Sequence, residues 1–140
     1  MSAGPACTGV QPEIEFSRIQ AISCRGNLRI RLSAEGALFT YVEMHDCPRG
    51  EHWSAPWPDE PLRHLSSLQQ RQLADALVDG GFFELPEQIV TPGRDGFRDQ
   101  IDVTLGERRH SVMIERSAAP AAFARVRTLL MALAGPPFQG

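Results

Sequence analysis

Apolar and polar residues alternate with the period of two of a half-buried strand in Glu13-Ile14-Glu15-Phe16, and again in Asn27-Leu28-Arg29-Ile30-Arg31-Leu32. In the second run Leu28, Ile30 and Leu32 are predicted to face a core, with Arg29 and Arg31 facing water. Ala34-Glu35-Gly36 reads as a tight turn in which Gly36 supplies a positive φ. The aromatic and β-branched stretch Leu38–Met44 follows, so residues 27–44 are predicted to form a hairpin. Further on, Ile101, Val103 and Leu105 alternate with Gln100, Asp102 and Thr104. After a turn at Gly106-Glu107, Val112 and Ile114 return on an antiparallel neighbour, with His110 on the same face.

The period changes to that of a helix twice. Ser66 or Ser67 can cap a first helix, with Gln69 or Gln70 completing a capping box, and Leu73, Ala76 and Leu77 form its apolar stripe. Gly80-Gly81 supplies a left-handed C-cap, and Phe82, Phe83 and Leu85 anchor the exit to the core. A second helix is predicted from Pro120 to about Ala134, with Phe123, Val126, Leu130 and Leu133 on one face. Strands, helix, hairpin and helix in that order, without a β–α crossover, predict a single two-layer α+β domain: an antiparallel sheet with both helices packed on one face. The expected organisation is a flexible tail over residues 1–12, the domain over 13–134 and a C-terminal tail over 135–140.

Between the third strand and the first helix all periodicity stops. His45–Pro61, HDCPRGEHWSAPWPDEP, carries four prolines and both tryptophans of the chain. A loop of this length inside a small domain is functional or disordered. Trp53 and Trp57, with Arg49, are the candidate partner-binding residues, because aromatics in a Pro-rich loop offer large contact area at low entropic cost. The competing reading has the loop fold back as a lid, with the indoles covering one end of the core.

Composition narrows the classes. A chain of 140 residues is one domain, and a net charge of -3 gives no reason to expect nucleic acid as a partner. No apolar run reaches the ~20 residues that span a bilayer, so no membrane association is expected. All fourteen basic residues are arginine, which excludes a Schiff-base lysine and a P-loop. Cys7, Cys24 and Cys47 form neither a CxxC pair nor a disulfide framework. Odd, sparse cysteine, with no apolar signal segment at the N-terminus, predicts a cytoplasmic protein with free thiols.

The run Leu65–Pro86, Asp95-Gly96-Phe97, the Ile101-x-Val103 strand, the Arg109-His110-x-Val112 strand and the Pro120-initiated last helix resemble a group of small bacterial α+β domains. This group includes the emfourin-like inhibitors of thermolysin-like metalloproteases. The resemblance covers about residues 65–133 and implies protease inhibition as one expected function. The front half departs from it: inhibitor-type members carry a Ser-Gly-Gly-Phe-like turn where this chain reads Ser23-Cys24-Arg25-Gly26-Asn27.

Other chemistry is weighed residue by residue. His45, Cys47 and His52, with Glu51 and His64 nearby, are the metal-ligating candidates, although their spacing is not that of a zinc knuckle. Cys24 or Cys47 with His45, His64 or His110 as base is the nucleophile candidate. Asp59-Glu60 and the pair Asp99 and Asp102 are read at turns and exposed strand positions. Arg18, Arg25, Arg29 and Arg31 are read as a solvated, ion-paired face neutralised by Glu13, Glu15 and Glu43. No convergent catalytic set emerges. The expectation is a non-enzymatic protein-interaction module with no cofactor and an unidentified protein partner. The alternative is a small metal- or cysteine-dependent enzyme using the His45–His52 loop.

Overall fold

The computed structural model describes residues 10–136 and Phe138. Strands β1 (Glu13–Gln20), β2 (Leu28–Leu32), β3 (Ala37–Val42) and β4 (Arg63–His64) precede helix α1 (Ser67–Asp79) and a 3-10 turn (Phe82–Glu84). Then come β5 (Gln88–Val90), β6 (Phe97–Leu105), β7 (Arg108–Glu115) and α2 (Ala121–Ala134). The strands form one sheet in the order β4-β3-β2-β1-β6-β7-β5. The chain has an α+β fold with a single open sheet. Every pairing is antiparallel except that of β5 with β7, which is parallel.

The capping box forms at Ser66: its hydroxyl accepts from the Gln69 N–H, and the Gln69 side chain accepts from the Ser66 N–H. Gly81, at φ 86, takes the left-handed position that ends the first helix. Gly36 turns β2 into β3 at φ 89, and the Gln70 side chain of α1 packs so closely over it that a Cβ would sit 2.8 Å from Nε2. The positive φ is what selects glycine here, since the amide end of Gln70 could shift to admit a Cβ.

The core lies between the sheet and both helices. The register stacks Ile14, Phe16, Ile30, Leu32, Ile101 and Val103 on one face, covered by Leu73, Leu77, Phe123, Val126 and Leu130. Leu28 and Phe83, predicted as core, are only half-buried at its margin. Leu38 and Phe138 are core members that the alternation did not single out. Residues 1–9 of the expected N-terminal tail lie outside the described residues, as do 137, 139 and 140. Pro12 is buried.

Candidate functional site

The loop 45–61 neither dangles nor caps the end of the core. It lies across the outer face of β2 and β3, the face opposite the helices. The cause is visible in β3, where Phe39 and Tyr41 alternate with Leu38 and Val42, so the strand is apolar on both sides and needs cover on both. On this face Arg29 stands opposite Tyr41 in the register. Its guanidinium carbon lies 4.7 Å from the Tyr41 ring centroid, 4.4 Å from Trp53 and 4.3 Å from Trp57. An aromatic cage therefore closes on an arginine of the same chain. Nη2 of Arg29 also donates to the Ala55 carbonyl at 2.9 Å, while its Nε is buried without a partner.

The expectation that Arg29 faces water is thus overturned: it is 9% exposed. Burial lowers its pKa from the usual arginine value, partly offset by Tyr41, Glu15 and Glu43. Trp53 and Trp57 are half-buried around it, so their first task is to hold the loop, as in the lid reading. The lid covers an outer sheet face, where the sequence placed it over an end of the core.

Two further clamps fix the loop. Glu43, 1% exposed, accepts from the Ser54 N–H at 2.6 Å, the Ser54 hydroxyl at 2.6 Å, the Tyr41 hydroxyl at 2.9 Å and the His45 N–H at 3.0 Å. Burial pushes its carboxyl pKa up, but the bonds from Ser54, Tyr41 and His45 outweigh that and lower it to about 2. Asn27, fully buried, accepts from the Gln20 N–H and donates to the His52 carbonyl at 3.1 Å.

Cys24 and Cys47 form a disulfide, with their Cα atoms 6.2 Å apart. This corrects the reading of both as free thiols. Sequence spacing could not reveal the pair, because the turn at 21–27 and the loop meet only once the sheet has formed. Beside the bridge, Arg25 forms a two-pronged ion pair with Asp46 at the exposed surface.

Arg49 follows directly. The Glu51 N–H bonds the Pro48 carbonyl at 3.0 Å, and Gly50 sits at φ 85. Pro48-Arg49-Gly50-Glu51 is therefore a tight turn with glycine where a type II turn requires it. Arg49 is displayed, exposed, at its second position.

The metal candidates do not converge. Cys47 is tied up in the bridge, and His45 and His52 serve the fold through backbone groups while their side chains are exposed. Among the described residues no group of three or more His, Cys, Asp or Glu side chains is arranged to hold a metal ion. His110 bonds the Leu85 carbonyl at 2.7 Å and packs edge-on against Phe82, 5.7 Å between centroids, far from either cysteine in role and surroundings.

The four arginines read as one solvated patch are dispersed. Arg18 pairs with Asp99, Arg25 with Asp46, Arg29 is caged, and Arg31 stacks over Phe39 and Trp57. Asp99, read as exposed, is 1% exposed. Asp102 lies on the outer face beside Glu15 in an open groove of about 420 Å³ that Arg31, Arg109 and Ser111 also line. Burial raises the Glu15 pKa and the Asp102 charge adds to it, against the pull of Arg31 and Arg29. The groove carries both signs of charge.

The Glu43 clamp gives the loop a pH dependence whose sign is fixed. The folded pKa lies below the usual 4.5, so the clamp contributes fully above pH 4.5 and is lost as pH falls toward about 2. Both tryptophans of the chain sit in this loop, so their emission reports on it alone. The expected result is a shift in tryptophan fluorescence across that window. Glu43→Gln, whose amide N–H groups would face the His45 and Ser54 donors, should show the acid-side emission already at neutral pH. Identical neutral spectra for the two proteins would remove Glu43 as the clamp.

No protein-family model matches the chain, and no curated protein is significantly similar to it.

Proposed function

We propose that this protein is a non-enzymatic protein-interaction module that presents the turn around Arg49 to a protein partner. One observation carries the reading: Arg49 is exposed on a tight turn that starts one residue after a disulfide, in a loop clamped by Glu43, Asn27 and the Arg29 cage. A loop held rigid before binding loses little conformational entropy when it docks, which raises affinity. The exposed parts of Trp53 and Trp57 extend the contact surface behind the turn. Protease inhibition is the specific form that the resemblance of residues 65–133 suggests.

Two features weigh against the alternative enzyme on the His45–His52 loop. Cys24 and Cys47 carry no thiolate while bridged, and His110 is packed among phenyl rings with its ring nitrogen already bonded. The bridge also favours an oxidising compartment over the cytoplasm expected from cysteine number. Among the described residues no helix is long and apolar enough to cross a membrane.

The test compares capture from host extract by the wild type, by Arg49→Glu and by wild type reduced with dithiothreitol. Arg49→Glu should lose the partner while melting as the wild type does. Reduction should weaken capture by loosening the loop. The reading fails if Arg49→Glu retains the same partner with the same affinity, or if nothing is enriched. A parallel assay with a thermolysin-type metalloprotease decides the inhibitor form, which full protease activity in stoichiometric excess of this protein would exclude.

A further inference from the structure

On the helix side of the sheet, a second concavity of about 410 Å³ opens between the ends of β1, β6 and β7 and the loop that leads into α2. Asp99 forms its floor. Arg18 grips both Asp99 oxygens, with Nε at 2.7 Å and Nη2 at 2.8 Å, and Arg127 of α2 adds Nη1 at 2.9 Å. Two guanidinium groups thus share one carboxylate, leaving a positive charge in excess. A third guanidinium, Arg116, lines the same cavity and is matched by Glu115 at 3.0 Å. Taken together, Arg18, Arg116 and Arg127 against Asp99 and Glu115 leave one uncompensated positive charge. The helix that begins just beyond, with no side-chain cap on its first turn, adds to the positive field.

The chain goes to some length to place Arg116. It is the one non-glycine residue at positive φ among the described residues, at φ 54. A long side chain adopts that conformation only where its surroundings enforce it. Gly93 and Gly96 make room for it: a Cβ on Gly93 would come within 2.7 Å of its Cδ, and one on Gly96 within 3.3 Å of its Cγ. Nε of Arg116 is fixed on the Thr91 carbonyl at 2.8 Å. Among the described residues Arg18 Nη1, Arg116 Nη2, and Nε and Nη2 of Arg127 have no protein acceptor, so donors remain for a ligand. Most of the remaining wall is apolar, from Phe97, Ile114, Ala118 and Ala119, with Gly96 and the hydroxyl-bearing Ser117 between them. Phe97 is an exposed aromatic at the rim, with the Arg18 guanidinium 4.1 Å above its ring.

The geometry points to a binding site for a monocarboxylate that carries an apolar group, its carboxylate held by the arginines and its hydrocarbon part against Phe97 and Ala118–Ala119. One excess positive charge matches one carboxylate, and guanidinium forks match its two oxygens. The site has no lining residue from the loop 45–61 and does not rest on the function proposed for the Arg49 turn.

The ligand chemistry has two sources, a free aliphatic acid or the C-terminus of a peptide. The full chain is therefore titrated by calorimetry or NMR with hexanoate, with a hexapeptide ending in a free-acid leucine, and with the same hexapeptide as its C-terminal amide. At least one carboxylate should bind, the amide about tenfold or more weaker than the free-acid peptide if the peptide is the source, and binding should weaken with salt. Arg116→Gly removes the guanidinium while relieving the positive φ. Ala118→Asp, at an exposed wall position, opposes the ligand's charge without touching the Asp99 cluster. Each should reduce affinity about tenfold or more. No binding of either carboxylate at millimolar concentration overturns the proposal. So does binding that both variants leave unchanged, or equal binding of acid and amide by a protein that does not bind hexanoate.

Discussion

Asp99→Ala is expected to destabilise the protein by roughly 3–5 kcal/mol, because it leaves two guanidinium groups facing each other at a partly buried site without their counter-charge. Asp99 is 1% exposed and both of its oxygens are occupied, while the side chains of Arg18 and Arg127 are only 24% and 25% exposed. Removing Arg127 instead should cost less, since Arg18 keeps its two-pronged hold on the aspartate. Denaturant titrations of Asp99→Ala, Arg127→Met and the double variant check this. The midpoint should move far more for Asp99→Ala than for Arg127→Met at unchanged slope, and the double variant should fall short of the sum because the residues touch. A loss for Asp99→Ala within the ~0.5 kcal/mol of an ordinary surface substitution would mean that the cluster is solvated in solution.

Phe123→Ala should likewise cost roughly 3–5 kcal/mol, whereas Phe83→Ala should cost about 1–2 kcal/mol. From the sequence the two phenylalanines are equivalent. In the fold Phe123 is fully enclosed where α2 meets the sheet, so its removal leaves a cavity. Phe83 sits at the margin, in a T-shaped contact with Phe82 and with the Arg108 guanidinium 3.9 Å from its ring centroid. Water can fill the space it leaves. Equal losses from the two truncations would contradict this placement of the core boundary.

The helices, their caps and the main strands were legible because each depends on neighbours within a few residues. A serine three before a glutamine, Gly81 after an apolar stripe and the alternation at 28–32 each carry their own physical cause. Some of what was misread also left a local trace. Asp99 alternates in phase with Ile101 and Val103, and Arg18 with Phe16, so strand parity already places that ion pair on the core face. Phe39 and Tyr41, in phase with Glu43, signal that the outer face of β3 is covered. Reading charge as a sign of solvent hid both.

The sequence by itself determined the α+β class, the helix ends and the face of the sheet that the helices cover, since period and turn chemistry act over a few residues. Only the tertiary structure decided that Cys24 meets Cys47, that Glu43 and Arg29 hold the loop 45–61, and that Arg18, Arg116 and Arg127 gather around one cavity. These contacts join residues as far apart as 11 (Glu43–Ser54), 23 (Cys24–Cys47) and 81 (Arg18–Asp99) positions, beyond the reach of helix or strand periodicity. The Arg18–Asp99 cluster exists because β1 pairs with β6, whereas the bridge and the loop clamps lie within residues 24–57, where the β2–β3 hairpin gives the loop a face to fold onto. A covered outer face then becomes the place where a 17-residue loop can satisfy its polar groups and bury its indoles.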